Sequence, residues 1–210
     1  MPRRIDIESW GRREQYRFFL RYDQPFFNLC TEIEVGPLYR KAKAAKQSFY
    51  LACIHACLVA ALDVPAFRQR LDADGVVEHD CVHAAATVLG ADEVFRFCWL
   101  DYATDHAVFQ ARGRAAMDVA VTSTGALEPH AGRTDLVHFS VLPWIRFTGL
   151  VHPRAADPLD SVPKIVFGRS LGAGDGMTMP ISIDVHHALA DGIHVAKFLE
   201  ALQRVCRSPG

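Results

Sequence analysis

Apolar residues recur along this chain at two spacings, and the C-terminal end shows both. Ile181, Ile183 and Val185 alternate with Ser182, Asp184 and His186, the period-two pattern of a strand with one buried face. Beyond Asp191-Gly192, Val195, Phe198, Leu199, Leu202 and Val205 recur at helical spacing. His186 and His187 therefore fall where a strand gives way to a turn and a helix. Upstream, the pattern predicts an amphipathic segment over 9–22, with Trp10, Tyr16, Phe18 and Phe19 as its apolar surface. It predicts a polar helix over 37–46 and an apolar helix over 47–62 stopped by Val64-Pro65. A further helix over 104–121 carries Val108, Ala111, Ala115 and Val119 near helical spacing. Strands are predicted at 31–35, 82–88, 94–99, 135–144, 145–151 and 165–168, with Pro143 breaking one from the next; a turn over 71–75 leads into Val76-Val77. Strands and helices interspersed without regular βα alternation predict an α+β fold with a large mixed, mainly antiparallel sheet.

Composition narrows the class. The chain has 210 residues, half of them hydrophobic, which suits a single domain over 1–210. No linker, repeat or low-complexity tract divides it. With 23 basic and 24 acidic residues the formal charge is −1, so no broad electrostatic footprint for nucleic acid exists. The most apolar stretch, 49–64, contains His55 and is shorter than the roughly 20 residues of a spanning helix. The first residues lack a secretory core, and the expectation is a soluble cytoplasmic protein with no membrane contact. The six cysteines are scattered through apolar segments, as buried thiols are in a reducing compartment. Cys53 and Cys57, and Cys81 with His83, admit a zinc reading. They lack the ligand pairs that would support it, and no metal is expected.

His187 attracts attention chemically. Acyl transfer from a thioester to a hydroxyl needs a base for the hydroxyl proton, a donor for the oxyanion and exclusion of water. Imidazole titrates near working pH, and a strand end holds it more rigidly than a long loop. Asp191 either acts on the imidazole or fixes the turn, and Gly192 permits close backbone approach. Read alone, a His pair followed by Asp-Gly is equally an ordinary hydrogen-bonded turn.

Family resemblance separates these readings. His186-His187-Ala188-Leu189-Ala190-Asp191-Gly192 resembles the HHxxxDG signature of trimeric chloramphenicol acetyltransferases, whose HxxxDG core is shared with dihydrolipoyl acyltransferases, plant BAHD acyltransferases and peptide-synthetase condensation domains. Trp10-Gly11-Arg12-Arg13-Glu14 is similar to the family's N-terminal Trp-x-Arg-Lys-Glu segment. Phe49-Tyr50, Ile54-His55, Pro65-Ala66-Phe67-Arg68, Asp80-Cys81-Val82-His83, Trp99-Leu100-Asp101-Tyr102, Phe139 to Trp144 and Phe147-Thr148 extend the likeness over nearly the whole chain. The resemblance implies a CoA-dependent acyltransferase fold, a two-layer sandwich in which helices cover that sheet, and acetyl-CoA as co-substrate. It also implies a small-molecule acceptor such as chloramphenicol, and a homotrimer with active sites at its subunit interfaces. It casts His187 as general base, its ring oriented by its own backbone carbonyl, and Ser140 as oxyanion donor. Asp191 and Arg12 become a salt-bridged pair that shapes the site. Tyr50 and Trp144 fall at the CoA channel, and Phe18, Phe19 and Leu150 at the acceptor pocket. His186, His138 and His194 are read as structural.

Several positions depart from the family pattern. Asp184 stands where Gln is usual, Ile193 where an aromatic is usual, and Val166 where a threonine lies near the oxyanion. Arg146 and His152 add polarity beside the acceptor stretch. Two rivals follow: an acyltransferase for another alcohol, an amine or a dihydrolipoyl group, and a catalytically silent ligand-binding relative.

Overall fold

The computed structural model describes residues 2–124, 127–128, 132–154 and 157–209. Its backbone is a six-stranded mixed sheet. β2 (Phe26–Glu34) pairs antiparallel with β9 (Thr178–His186), and β9 antiparallel with β8 (Lys164–Phe167). β8 and β7 (Leu136–Val141) are parallel, as are β7 and β5 (His83–Leu89), while β6 (Phe95–Leu100) closes the far edge antiparallel to β5. Three of the five pairings are antiparallel, in line with the predicted class. A small antiparallel sheet of β1 (Arg3–Arg4), β4 (Gly75–Glu78) and β3 (Gln69–Asp72) sits apart, over Ile5, Ile7, Trp10, Tyr16 and Leu189.

The helices are α1 (Arg13–Phe19), α2 (Gly36–Ala44), α3 (Phe49–Leu62), α4 (His106–Val121) and α5 (Gly192–Arg207). α3 is buried nearly all round, which is why its sequence is apolar without a stripe. Ser48 caps it through Leu51 N, and Asp105 caps α4 through Ala107 N and Val108 N. α4 packs close to α3 at Gly113, where a Cβ would come within 2.9 Å of Leu51. Ile181, Ile183, Val185, Ile165, Phe167, Phe139, Ala84 and Ala86 face these helices in one continuous core.

The alternating set Ser140, Val166, Ser182, Asp184 and His186 takes the opposite face. Because β7 and β8 are parallel, the chain must cross from the end of one to the start of the other over 142–163. This crossover corrects one expectation: 145–151 is not a strand. Ile145 makes no ladder: its amide donates to Leu142 O and its carbonyl accepts a single bond from Arg169 N just beyond β8, and Val151 is 92% exposed. β2 also begins five residues before the expected 31. Phe26 and Phe27 pair with His186 and Val185, a register set by a strand about 150 residues further on.

Candidate active site

β9 ends at His186, and the next residue is held by backbone. The His187 amide donates to Pro25 O at 2.7 Å, and its carbonyl accepts from Arg12 Nη2 at 3.0 Å. The imidazole lies flat on Phe19 (centroids 3.8 Å apart, planes at 6°), with Phe27 tilted against it at 4.6 Å. Its Nδ1 is buried without a hydrogen-bond partner. The expected bond from the ring to its own carbonyl is therefore not made; Arg12 occupies that oxygen, which retains a second lone pair. Burial lowers the pKa of Arg12, against a raising influence from Asp191.

The Arg12–Asp191 salt bridge is likewise not closed. Asp191 is instead the N-cap of α5. Its carboxylate accepts from Gly192 N at 2.6 Å and from the first-turn amide of His194, whose Nδ1 accepts from Asp191 N at 3.1 Å. This reciprocal capping box satisfies amides that the helix start would leave bare, so the short-range demand on the carboxylate wins over the guanidinium. His194 is thereby structural. His186 is too: it is buried, its Nδ1 accepts from Ala188 N at 3.2 Å, and burial, followed by the charge of Arg154, pushes its pKa down to about 4.

Ser140 lies elsewhere. Its hydroxyl is 2.9 Å from Thr87 Oγ1 on the neighbouring strand. Ser140 is level with Val166, and Val166 with Ser182. His187 lies five residues beyond Ser182, so it is roughly 17 Å further along the sheet, at about 3.4 Å per residue, and two strands across. One copy of the chain does not bring His187 and Ser140 together.

Tyr50 lies on α3, at a cavity that Ser140 does not line. With Phe49, Val141, Pro143, Phe167, Arg169, Ser170 and Met179 it borders about 390 Å³, and burial drives its phenol pKa far up. Trp144 is 64% exposed beside Pro143 and does not line this cavity. Phe18 and Phe19 border an open depression of about 630 Å³ with Glu14, Gln15, Arg17 and Arg21, while Leu150 is half-buried on the crossover. Sequence reasoning missed Phe27, Thr87 and Arg169, which only strand pairing and loop placement bring to these sites. It also missed the aromatic row of β6. Phe97 pairs with Thr87, and Phe95 and Trp99, both partly exposed, flank it on the Ser140 side of the sheet.

Comparison with known proteins fits this geometry to a family. The sequence model described as chloramphenicol acetyltransferase matches residues 2–203. A chloramphenicol acetyltransferase from a Klebsiella species is 30% identical over 204 residues, covering 96% of this chain and 92% of that protein. A solved chloramphenicol acetyltransferase superposes with a TM-score of 0.86 at 28% identity, covering 97% of this chain and 99% of that one. The Azotobacter vinelandii dihydrolipoamide acetyltransferase shares the fold alone, with a TM-score of 0.69 at 16% identity over 93% of this chain and 86% of that one. The protein is thus an acyltransferase, and the chain belongs to the chloramphenicol acetyltransferase family.

Proposed function

We propose that the protein transfers an acetyl group from acetyl-CoA to a hydroxyl of chloramphenicol or a similar small aromatic alcohol, at sites shared between copies of a homotrimer. One observation carries this reading: His187 and Ser140 are each built into a local site, yet lie roughly 17 Å apart along one sheet. A closed ring of identical copies lets His187 of one face Ser140 of the next. The exposed apolar surface of Ile145, Val151 and Trp144 on the crossover suits burial between copies.

In that arrangement His187 takes the acceptor's proton as the hydroxyl oxygen attacks the thioester carbonyl, and Ser140 donates to the oxygen that becomes negative. Thr87 orients the Ser140 hydroxyl. Arg12 fixes the backbone that carries the imidazole, and the rings of Phe19 and Phe27 hold it in plane. Phe95 and Phe97 offer aromatic surface to the acceptor beside Ser140. The cavity at Tyr50 suits the apolar arm of CoA, with Arg169 as a cation for its phosphates and Trp144 as a surface contact. No covalent acyl-enzyme is required.

Val166 favours a second reading, an acceptor other than chloramphenicol. It is level with Ser140 and offers methyls where the family's threonine would offer a hydroxyl. No helix among the described residues is long and apolar enough to cross a membrane. The six free cysteines suit the reducing cytoplasm, where we place the enzyme. CoA thiol release is the test, measured with chloramphenicol, other alcohols, amines and dihydrolipoamide. Release with chloramphenicol or a related aromatic alcohol supports the first reading, release only with another acceptor the second. Acetyl-CoA binding without release on any acceptor would leave the silent relative.

A further inference from the structure

On the face of the sheet away from the helices, the crossover is pinned to β9 by a buried cation. Arg154 Nη1 donates to Asp160 Oδ2 at 2.9 Å, and Nη2 lies 3.1 Å from Asp184 Oδ2, with all three side chains at most 12% exposed. His152 Nδ1 stands 3.6 Å from the same Asp184 oxygen, and Lys164 Nζ donates to Pro153 O at 3.0 Å. The Arg154 guanidinium sits over the Phe26 ring, 3.1 Å from its centroid, and Phe26 meets His186 edge-on at 4.9 Å. A contiguous path thus runs from two carboxylates through Arg154 and Phe26 to His186, the residue before His187. Asp184 is also the position where the family pattern has Gln, so the partner for this cation is a property of this chain.

We infer that Arg154 is a positioning residue: clamped between Asp160 and Asp184, it locks the crossover onto β9 and, through Phe26 and His186, sets the strand end that presents His187. A buried ion pair adds little net stability over apolar packing, whereas removing one partner leaves an uncompensated charge. What the pair does supply is geometry. A planar, two-pronged cation between fixed carboxylates holds the Phe26 ring in one position against His186, and a lysine cannot reproduce its flat face. The inference rests on His187 being the working imidazole, so its test needs a readout independent of turnover.

Arg154→Lys keeps the charge and the fold, and Asp184→Asn keeps the shape while opening one arm of the clamp. Each variant is compared with the wild-type assembly in two assays. Steady-state acetylation should show kcat lowered about tenfold with the KM for acetyl-CoA within about twofold, the signature of a displaced base. Peptide-resolved diethyl pyrocarbonate labelling should show His187 modified several-fold faster, because its ring is no longer held between Phe19 and Phe27. Labelling decides even on a protein that turns over no acceptor, so it separates failure of this inference from failure of the proposed activity. Should Asp184→Asn fail to assemble, Arg154→Lys alone decides. Unchanged His187 labelling in a folded variant would overturn the inference, as would a loss of activity explained by the unfolded fraction alone.

Discussion

Just past the end of β9 a residue is fixed through its backbone, and near the end of β7 one is fixed through its side chain. His187 has both its amide and its carbonyl engaged, by Pro25 and Arg12, and its ring is held by stacking alone. Ser140 sits in a regular parallel ladder, and what is specific to it is the hydroxyl of Thr87. The contrast matches the roles we propose for the two groups. A base has to change protonation state without moving, so its surroundings fix position and leave ring nitrogens unspent. An oxyanion donor has to keep its one O–H free, so a single neighbouring hydroxyl that donates to its oxygen suffices. In the proposed reaction neither region suffices alone, and the sheet that carries both keeps them apart.

The comparison is broken most severely by removing either group. His187→Ala should lower kcat by about a thousandfold and Ser140→Ala by about a hundredfold, with circular dichroism and oligomeric mass unchanged. Thiol release with acetyl-CoA reads both. Near-normal turnover in His187→Ala would remove the base from the account, and a Ser140→Ala loss as large as that of His187→Ala would give the two groups equal weight.

The next effect sharpens the comparison by separating His187 from its neighbour. His186 has a folded pKa of about 4 against an ordinary 6.5, because burial disfavours its charged form. As pH falls below 6.5 the unfolded chain binds the proton first, so this stabilisation is complete above that pH and lost progressively towards 4. The shift corresponds to about 3 kcal/mol at 1.36 kcal/mol per unit. Other buried histidines titrate in the same direction, so the informative quantity is a difference. His186→Asn, whose side-chain oxygen can still accept from Ala188 N, should lose less Tm between pH 7 and 4.5 than wild type. Parallel Tm curves would contradict the buried neutral imidazole.

A smaller effect tests the part Asp191 plays between them. As the N-cap of α5, Asp191→Ala should cost about 1 kcal/mol, or about 2–4 °C in Tm, and Asp191→Asn much less. Equal losses in the two variants would point to the charge, and so to Arg12, rather than to the cap.

Much of this was legible in the sequence where a pattern is local. The alternation at Ile181, Ile183 and Val185, the spacing from Val195 to Val205 and the stop at Pro65 each depend on a few neighbouring residues, and β9, α5 and α3 lie where these signals put them. What depends on distant pairing was hidden. Ile145 and Val151 have strand-like side chains but no neighbouring strand to pair with, and Phe26 becomes strand only because β9 arrives beside it. The competition for Asp191 between a helix start and Arg12 is settled by distances that a sequence does not contain. So is the separation of Ser140 from His187, for which register was needed.

That separation is the centre of the account, and mixed assembly tests it directly. His187→Ala and Ser140→Ala chains, each inactive alone, are denatured together in equal amounts, refolded and assayed for acetyl-CoA-dependent acetylation. If each site takes His187 from one copy and Ser140 from another, about a quarter of the sites regain both groups, and activity should return to about a quarter of that of refolded wild type. No recovery in properly assembled mixtures would place both groups of a working site in one chain, and would contradict the account.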